Sequence, residues 1–276
     1  MRPIQKSAKL ANVCYDIRGP IMDRARQMEE DGHKIIKLNI GNLAVFGLEP
    51  PDEIVQDMIR NLAQSAGYTD SKGLFAPRKS VVHYTQQKRI TGVTVDDVYL
   101  GNGASELITM SLQALLDDGD EVLVPAPDYP LWTASVSLSG GRPVHYLCDE
   151  QSDWFPDLDD IRRKVTPRTK AILIVDIFGY PAELPALIDV ARRHGLGIVE
   201  DACQSIDGDY DGQKLGTFGH PAVYGFYANK QLTTAEGGVI LTDDEGLYRE
   251  LKSLTNQGRS DDGAWLVHSR LGFNYR

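Results

Sequence analysis

The sequence contains few cysteines, and they form no recognisable pattern. Cys14, Cys148 and Cys203 lie far apart and no CxxC pair occurs, which argues against a zinc site or any other metal site and against a disulfide framework. No apolar run approaches the length of a membrane span, and the N-terminus lacks the apolar core of a signal peptide. We therefore expect a soluble, cytoplasmic protein that does not bind a membrane.

The chain also lacks an excess of positive charge. Its 276 residues include 29 Lys and Arg against 39 Asp and Glu, which gives a formal net charge of −10. Nucleic acids and anionic membrane surfaces need a basic footprint, so neither is expected as a partner. No GxGxxG or P-loop string occurs, which disfavours a nucleotide-binding module. A small-molecule substrate is the easier interpretation.

What the chain does contain is an alternation of short apolar segments and amphipathic segments. The pattern predicts strands over 121–125, 170–175, 196–200, 222–227 and 238–242. It predicts helices over 105–116, 130–139, 184–194 and 244–255, preceded by one from Asp52 and one with Pro77 in its first turn. Apolar strands between helices indicate an α/β fold with three α/β/α layers and a mainly parallel sheet. Ligands of such sheets bind beyond the carboxyl ends of the strands.

The first 40 residues differ from the rest. They mix charged and short apolar patches without a clean period, and a stretch rich in glycine and proline follows over 41–51. We expect residues 1–40 to form an N-terminal arm and residues 41–276 to form one large ligand-binding domain.

Three segments could carry chemistry, and two of them follow predicted strands. The glycine-rich turn at 101–106 opens a helix, where backbone N–H groups and the helix dipole suit a phosphate. A plain turn with Ser105 as the N-cap explains the same residues equally well. Asp201 follows a buried strand and could pair with a cationic ring nitrogen or cap the next helix. Lys230 could act as a nucleophile towards an aldehyde if it is semi-buried, although most lysines are ordinary surface residues.

The three segments gain weight from their order along the chain. A phosphate turn, a strand-end carboxylate and a lysine are the anchors that pyridoxal 5'-phosphate (PLP) requires. Tyr129, in a proline-rich turn, offers an aromatic face that could stack on the pyridine ring, although simple packing is the commoner role for such a residue.

Longer strings resemble known families. Residues 1 to about 174 resemble bacterial alanine aminotransferases of class I/II, through NVCYDIRGP at 12–20, LNIGN at 38–42, GYTDSKG at 67–73 and PAPDYPLW at 125–132. Residues from about 175 resemble the DegT/DnrJ/EryC1 family, through FGYPA at 178–182, EDACQ at 200–204, TTAEGG at 233–238 and GFNYR at 272–276. The two families share a fold and a cofactor, so the chain looks like a hybrid with a junction near 166–175.

The resemblance implies a role for individual residues. It implies an aspartate-aminotransferase-like large domain that binds PLP, without the C-terminal small domain that normally follows Arg276. Lys230 would form the Schiff base and move the proton, with Asp201 on the pyridine nitrogen. The other cofactor-binding residues implied are Gly103, Ala104, Ser105, Tyr129 and Gln204, with Asn274 reaching the phosphate of a neighbouring subunit in a homodimer. The substrate-side residues implied are Tyr15, Arg18 and Gly41.

The implied activity is transfer of an amino group from glutamate or alanine to a 2-oxo acid. One alternative acceptor is a nucleotide-linked keto sugar, and another interpretation is a PLP-binding fragment without turnover. Three departures from the family patterns bear on this choice. Gly179 stands where alanine aminotransferases have asparagine, Leu43 where they have proline, and Gly225 where the DegT-like half usually has serine. A large domain without its small partner should also expose an apolar patch.

Overall fold

The structure is a computed structural model that describes residues 7–11, 13, 19–37, 41, 44–88, 90–260 and 267–273. The chain divides into two compact units, Met1–Ala66 and Gly67–Arg276. The expected end of an N-terminal arm at residue 40 remains a prediction. No helix within the described ranges is long and apolar enough to cross a membrane.

The first unit contains the helices α1 (Gly19–Glu30) and α2 (Asp52–Asn61). Helix α2 confirms the prediction from Asp52, and its first turn carries Asp52 and Glu53, whose charges suit the helix dipole. Helix α1 was missed because its apolar residues have no clean period. The apolar face of α2 remains exposed, with Met58 at 58% and Ile59 at 60%. Self-association through such a face remains a prediction.

The second unit is built on a sheet. Its strands, as far as the described residues show, are β1 (Leu100–Gly101), β2 (Glu121–Ala126), β3 (Arg142–Leu147), β4 (Thr169–Val175), β5 (Gly197–Asp201), β8 (Ala222–Gly225) and β9 (Gly238–Leu241). They lie in the order β1-β9-β8-β5-β4-β2-β3, and all neighbours are parallel except at β9. Strands β6 (Asp209–Tyr210) and β7 (Gln213–Lys214) form a separate hairpin. The predicted mainly parallel sheet is therefore confirmed.

The helices of this unit cover both faces of the sheet. They are α3 (Phe75–Gln87), α4 (Ala104–Leu115), α5 (Pro130–Leu138), α6 (Leu158–Lys164), α7 (Leu184–His194) and α8 (Glu245–Thr255). One core cluster joins α4, α5 and α8 to Leu173, and the other joins α6 and α7 to Ile172 and Ile174. Successive strand residues point to opposite faces, so both sides of β4 are apolar. This arrangement is the expected three-layer α/β/α fold.

Most predicted elements are confirmed within one or two residues. Strand β3 was missed because Arg142, Pro143 and His145 interrupt its apolar pattern. It is an edge strand paired only with β2, where a proline is tolerated. Strand β8 ends at Gly225, two residues before the predicted end, and the chain then turns through the segment that contains Lys230.

Candidate functional site

The glycine-rich turn begins helix α4 and leaves the helix start open. Gly103 is the N-cap, with φ of 120°, and no side chain caps the helix. The interpretation with Ser105 as N-cap is therefore wrong, because Ser105 lies inside the first turn. An uncapped helix start presents unsatisfied N–H groups and the positive end of the dipole, which together suit an anion.

The neighbouring strand β9 holds this turn by close backbone packing. A Cβ on Gly238 would lie 2.9 Å from the backbone nitrogen of Ala104 and 3.0 Å from the carbonyl carbon of Gly103. Only glycine allows this approach without a shift of the turn. The Glu236 carboxylate is also close, with Oε2 3.3 Å from the position of a Cβ on Gly103. Glu106, in the first turn of α4, accepts a hydrogen bond from the Asn102 N–H at 2.8 Å, so two carboxylates lie near the open helix start.

Asp201 is the last residue of β5 and is held at both carboxylate oxygens. The indole Nε1 of Trp132 donates to Oδ2 at 3.0 Å, and the backbone N–H of Cys203 donates to Oδ1 at 3.0 Å. A turn follows Asp201 where the alternative interpretation expected a capped helix, so that interpretation is wrong. Each oxygen retains a second lone pair that can accept a further hydrogen bond.

Gly225 brings the glycine-rich turn and the end of β5 together. A Cβ on Gly225 would lie 3.1 Å from Cβ of Ala104 and 3.3 Å from Sγ of Cys203. These distances are tighter than ordinary van der Waals contact. The absence of a side chain at Gly225 therefore allows α4 to pack against the residues that follow Asp201.

Lys230 lies within electrostatic range of Cys203. It is half-buried, and its backbone N–H donates to the carbonyl of Tyr227 at 3.0 Å. Burial raises the pKa of the Cys203 thiol well above its ordinary value, the Asp201 carboxylate raises it further, and the positive charge of Lys230 opposes both effects. Lys230 and Asp201 therefore both act on the Cys203 thiol. They lie on two of the three segments predicted to carry chemistry.

Tyr129 is the N-cap of α5 and exposes 57% of its surface. The preceding residue anchors this corner: Asp128 Oδ2 accepts a hydrogen bond of 2.5 Å from the Thr133 hydroxyl, which also lies 2.8 Å from His145 Nε2. The exposed tyrosine ring is thus attached to a fixed helix start, at the carboxyl end of β2.

Gln204 links two loops at the same sheet edge. Its Oε1 accepts from the backbone N–H of Phe178 at 3.1 Å, and its backbone oxygen accepts from the side chain of Gln231. Phe178 has φ of 56°, an uncommon conformation for a bulky residue, and is 84% exposed. Gln204 therefore connects the turn at 177–179 with the lysine segment, while its predicted place beside a cofactor ring remains a prediction.

A buried pair of acidic residues lies below this edge. Asp176 and Glu200 are both fully buried, and Glu200 accepts backbone hydrogen bonds from Phe218 at 2.8 Å and Gly219 at 2.7 Å. Burial, followed by the nearby Glu200 carboxylate, raises the pKa of Asp176 to about 8. The position of Asp176 beside Glu200 therefore favours the neutral form of its carboxyl group.

Some predicted residues lie outside the described part of the chain. Tyr15, Arg18 and Asn274 are among them, so their roles remain predictions. Gly41 is described, without a regular helix or strand, in the first unit. Within the described ranges, no cluster of three His, Cys, Asp or Glu side chains could hold a metal ion.

Trp132 and Asp176 belong to this sheet edge, although the sequence patterns do not single them out. Asp176 directly follows a predicted strand, and that position was a usable signal. Trp132 carried none, because a tryptophan on a helix is usually a core residue and only the folded structure brings its N–H to Asp201.

Comparisons with known proteins agree with this geometry. Glutamate-pyruvate aminotransferase AlaA of Escherichia coli K12 is 58% identical over 207 residues, which cover 73% of this chain and 51% of that protein. A solved aminotransferase from Escherichia coli is 45% identical with a TM-score of 0.74, covering 92% of this chain and 67% of its own. NtdA from Bacillus subtilis, solved with bound cofactor PMP, is 25% identical with a TM-score of 0.69. The match covers 88% of this chain and 53% of the NtdA chain.

The chain spans about half the length of the curated relatives it matches. The model of the DegT/DnrJ/EryC1/StrS aminotransferase family matches residues 94–276. The two predicted resemblances therefore overlap, where the sequence had suggested a junction near 166–175. Because the family model matches well over half of the chain, this protein belongs to the DegT/DnrJ/EryC1/StrS aminotransferase family.

Proposed function

We propose that the protein is a PLP-dependent aminotransferase that moves an amino group from glutamate or alanine to a 2-oxo acid. The observation that carries the proposal is the meeting of the open start of α4, Asp201 and Lys230 around Gly225 and Cys203. The similarity to a glutamate-pyruvate aminotransferase supports the choice of substrates.

The residues of this edge fit the cofactor. The first-turn N–H groups of Gly103, Ala104 and Ser105 would hold its phosphate, because no side chain caps that helix start. The exposed ring of Tyr129 would stack on the pyridine ring. Asp201 would accept a hydrogen bond from the ring nitrogen with a lone pair that Trp132 and Cys203 leave available.

When bound, PLP supplies an aldehyde that bonds to amines and a ring that accepts the electrons released from the substrate Cα–H bond. Asp201 would keep the ring nitrogen protonated by placing a negative charge beside it. Lys230 would hold the cofactor through its amine and, once a substrate amine replaces it, would take the proton from Cα. Gln204 would keep the 177–179 turn in place beside the ring.

The remaining assignments belong to the same proposal. We propose residues 1–40 as an arm and 41–276 as the PLP-binding domain, with Tyr15, Arg18 and Gly41 on the substrate side. We also propose a cytoplasmic homodimer in which Asn274 reaches the phosphate of a second subunit. The small cysteine content and the acidic net charge support a cytoplasmic enzyme of small substrates.

The test is a half-reaction in the visible spectrum. The purified protein is loaded with PLP, and glutamate, alanine or a nucleotide-linked amino sugar is added in turn. A spectral change with glutamate or alanine, reversed by pyruvate or 2-oxoglutarate, is the expected result. A change with the amino sugar alone would favour the keto-sugar alternative, and no change with any donor would favour a cofactor-binding chain without turnover.

Two lysine variants control this test. Lys230→Ala should abolish the spectral change. Lys170→Ala removes an exposed lysine, with a side chain 53% exposed, and should leave the change intact. An equal response of Lys230→Ala and wild type would contradict the proposal.

A further inference from the structure

Trp132 is the one tryptophan in the described ranges with a buried indole, and its N–H meets a carboxylate. Only 2% of its surface is exposed, and Nε1 donates to Asp201 Oδ2 at 3.0 Å. The two residues are far apart in sequence and lie on different elements, helix α5 and strand β5. This contact therefore joins a helix start to a strand end through one side-chain hydrogen bond.

The indole is held in place independently of Asp201. Its ring packs in the core cluster that contains Val124, Val136 and Val223. The backbone N–H of Trp132 also donates to the carbonyl of Tyr129 at 3.1 Å, which closes the first turn of α5. Because the ring is fully packed, its N–H cannot turn to another acceptor without opening the core.

The chemistry of the indole suits one task. It donates a hydrogen bond but cannot accept one and does not ionise in the physiological range. A donor of this kind orients a carboxylate and leaves the carboxylate an acceptor for other partners. With the Cys203 N–H on the second oxygen, Asp201 is fixed by two donors from different segments.

We propose that Trp132 is a positioning residue that fixes the orientation of the Asp201 carboxylate towards the ring nitrogen of the bound cofactor. The inference rests on the proposed function. Since Tyr129 caps the same helix, α5 supplies both an aromatic face and the hydrogen bond that orients the carboxylate. A displacement of this helix start would disturb ring stacking and ring-nitrogen pairing together.

The hydrogen bond is tested first without cofactor. The full chain is labelled with ¹⁵N, and the indole signal of Trp132, one of three tryptophans, is identified by its absence in Trp132→Phe. Asp201→Ala should move that signal upfield, because the indole loses a charged acceptor. An indole signal that stays in place would overturn the inference. If Trp132→Phe folds poorly, Trp154→Phe and Trp265→Phe assign the signal by elimination.

The effect on the cofactor is tested next, with PLP added to wild type and variants. Trp132→Phe should weaken PLP binding about tenfold, the size expected for a lost hydrogen bond to a charged group. It should also change the visible circular dichroism of the bound cofactor, which reports the orientation of the ring. Trp132→His, which restores an N–H donor, should recover part of both signals.

A matched variant separates positioning from packing. Tyr146→Phe removes a buried hydrogen bond of 2.8 Å to the Leu173 carbonyl, in the core cluster on the other face of the sheet. It should lower stability but leave PLP affinity and circular dichroism unchanged.

Each outcome is decisive. If wild type binds PLP and Trp132→Phe binds it with the same affinity and dichroism, the inference is overturned while the proposed function stands. If wild type binds no PLP at Lys230, the proposed function fails and the cofactor role of Trp132 fails with it.

Discussion

The buried carboxyl group of Asp176 lies beside the buried carboxylate of Glu200 where the parallel strands β4 and β5 end. Burial and the neighbouring negative charge raise the pKa of Asp176 from its ordinary value of 3.8 to about 8. The unfolded chain has no such effect, so the folded state binds one more proton between these two pH values. The contribution of Asp176 to stability is therefore fully present below about pH 4 and is lost as the pH rises through about 8.

Asp176→Asn should remove this pH dependence. Asparagine is neutral at every pH, and its amide N–H can donate to a neighbouring carboxylate such as Glu200. We expect the variant to be more stable than wild type at pH 9, by about 2 kcal/mol, because no buried charge has to form. Urea unfolding of both proteins at pH 5, 7 and 9 measures this difference in stability. Equal pH dependence in the two proteins would show that Asp176 ionises normally.

Gly238→Ala should weaken cofactor binding. The added Cβ would lie 2.9 Å from the Ala104 nitrogen, so the turn that starts α4 must move. We expect PLP affinity to fall at least about tenfold and stability to fall by about 1–3 kcal/mol. Fluorescence titration with PLP measures the affinity.

Gly197→Ala is the matched control for Gly238→Ala. It adds the same methyl group to another strand, where the nearest neighbour, the Lys170 carbonyl oxygen, lies at an ordinary 3.6 Å. Its PLP affinity should equal that of wild type. Equal losses in both variants would mean that any added methyl group on the sheet is harmful.

Glu236→Gln should strengthen cofactor binding. The Glu236 carboxylate lies beside Gly103, at the helix start proposed to hold a phosphate, and like charges repel. The effect should be about twofold to fivefold because the residue is exposed and salt screens the interaction. The PLP dissociation constant at low and at high salt measures it, and the gain should shrink with salt. Glu150→Gln, an exposed change elsewhere, should have no effect.

Glu121→Gln should lower stability without touching the site. Glu121 is fully buried at the amino end of β2, and Arg168 and Thr166 donate to it at 2.8 Å and 2.7 Å. Burial alone would raise the pKa of Glu121, but hydrogen bonds from Arg142, Thr166 and Arg168 lower this pKa to about 2.

The stabilisation by ionised Glu121 is therefore present above pH 4.5 and is lost as the pH falls towards 2. The variant should lose about 1–3 kcal/mol at pH 7 and approach wild type in acid. Urea unfolding at pH 7 and pH 3 checks this, with PLP affinity as a second readout. A large change in PLP affinity would contradict the separation of Glu121 from the site.

The fold could be predicted from the sequence where buried elements have a clear pattern of apolar residues. Strand β4 is apolar on both faces because helices cover both, and helix α7 was predicted with its exact limits. Edge strand β3 lacks that signal, since only Tyr146 among its residues is buried.

Only those features of the site that lie within short sequence segments could be predicted. Asp201 and Lys230 each follow a predicted strand, and the glycine-rich turn opens a predicted helix, so these three segments could be singled out from the sequence. The contacts that orient these residues could not be predicted from the sequence. The hydrogen bond from Trp132 to Asp201 and the close packing of Ala104 against Gly225 arise only from tertiary packing.

The proposed function depends most directly on where PLP becomes attached. The measurement is reduction of the PLP-loaded protein with borohydride, followed by digestion and mass spectrometry of the labelled peptide. We expect one phosphopyridoxyl group on Lys230 of the wild type, and none in Lys230→Ala. Labelling spread over exposed lysines, equal in wild type and variant, would contradict it.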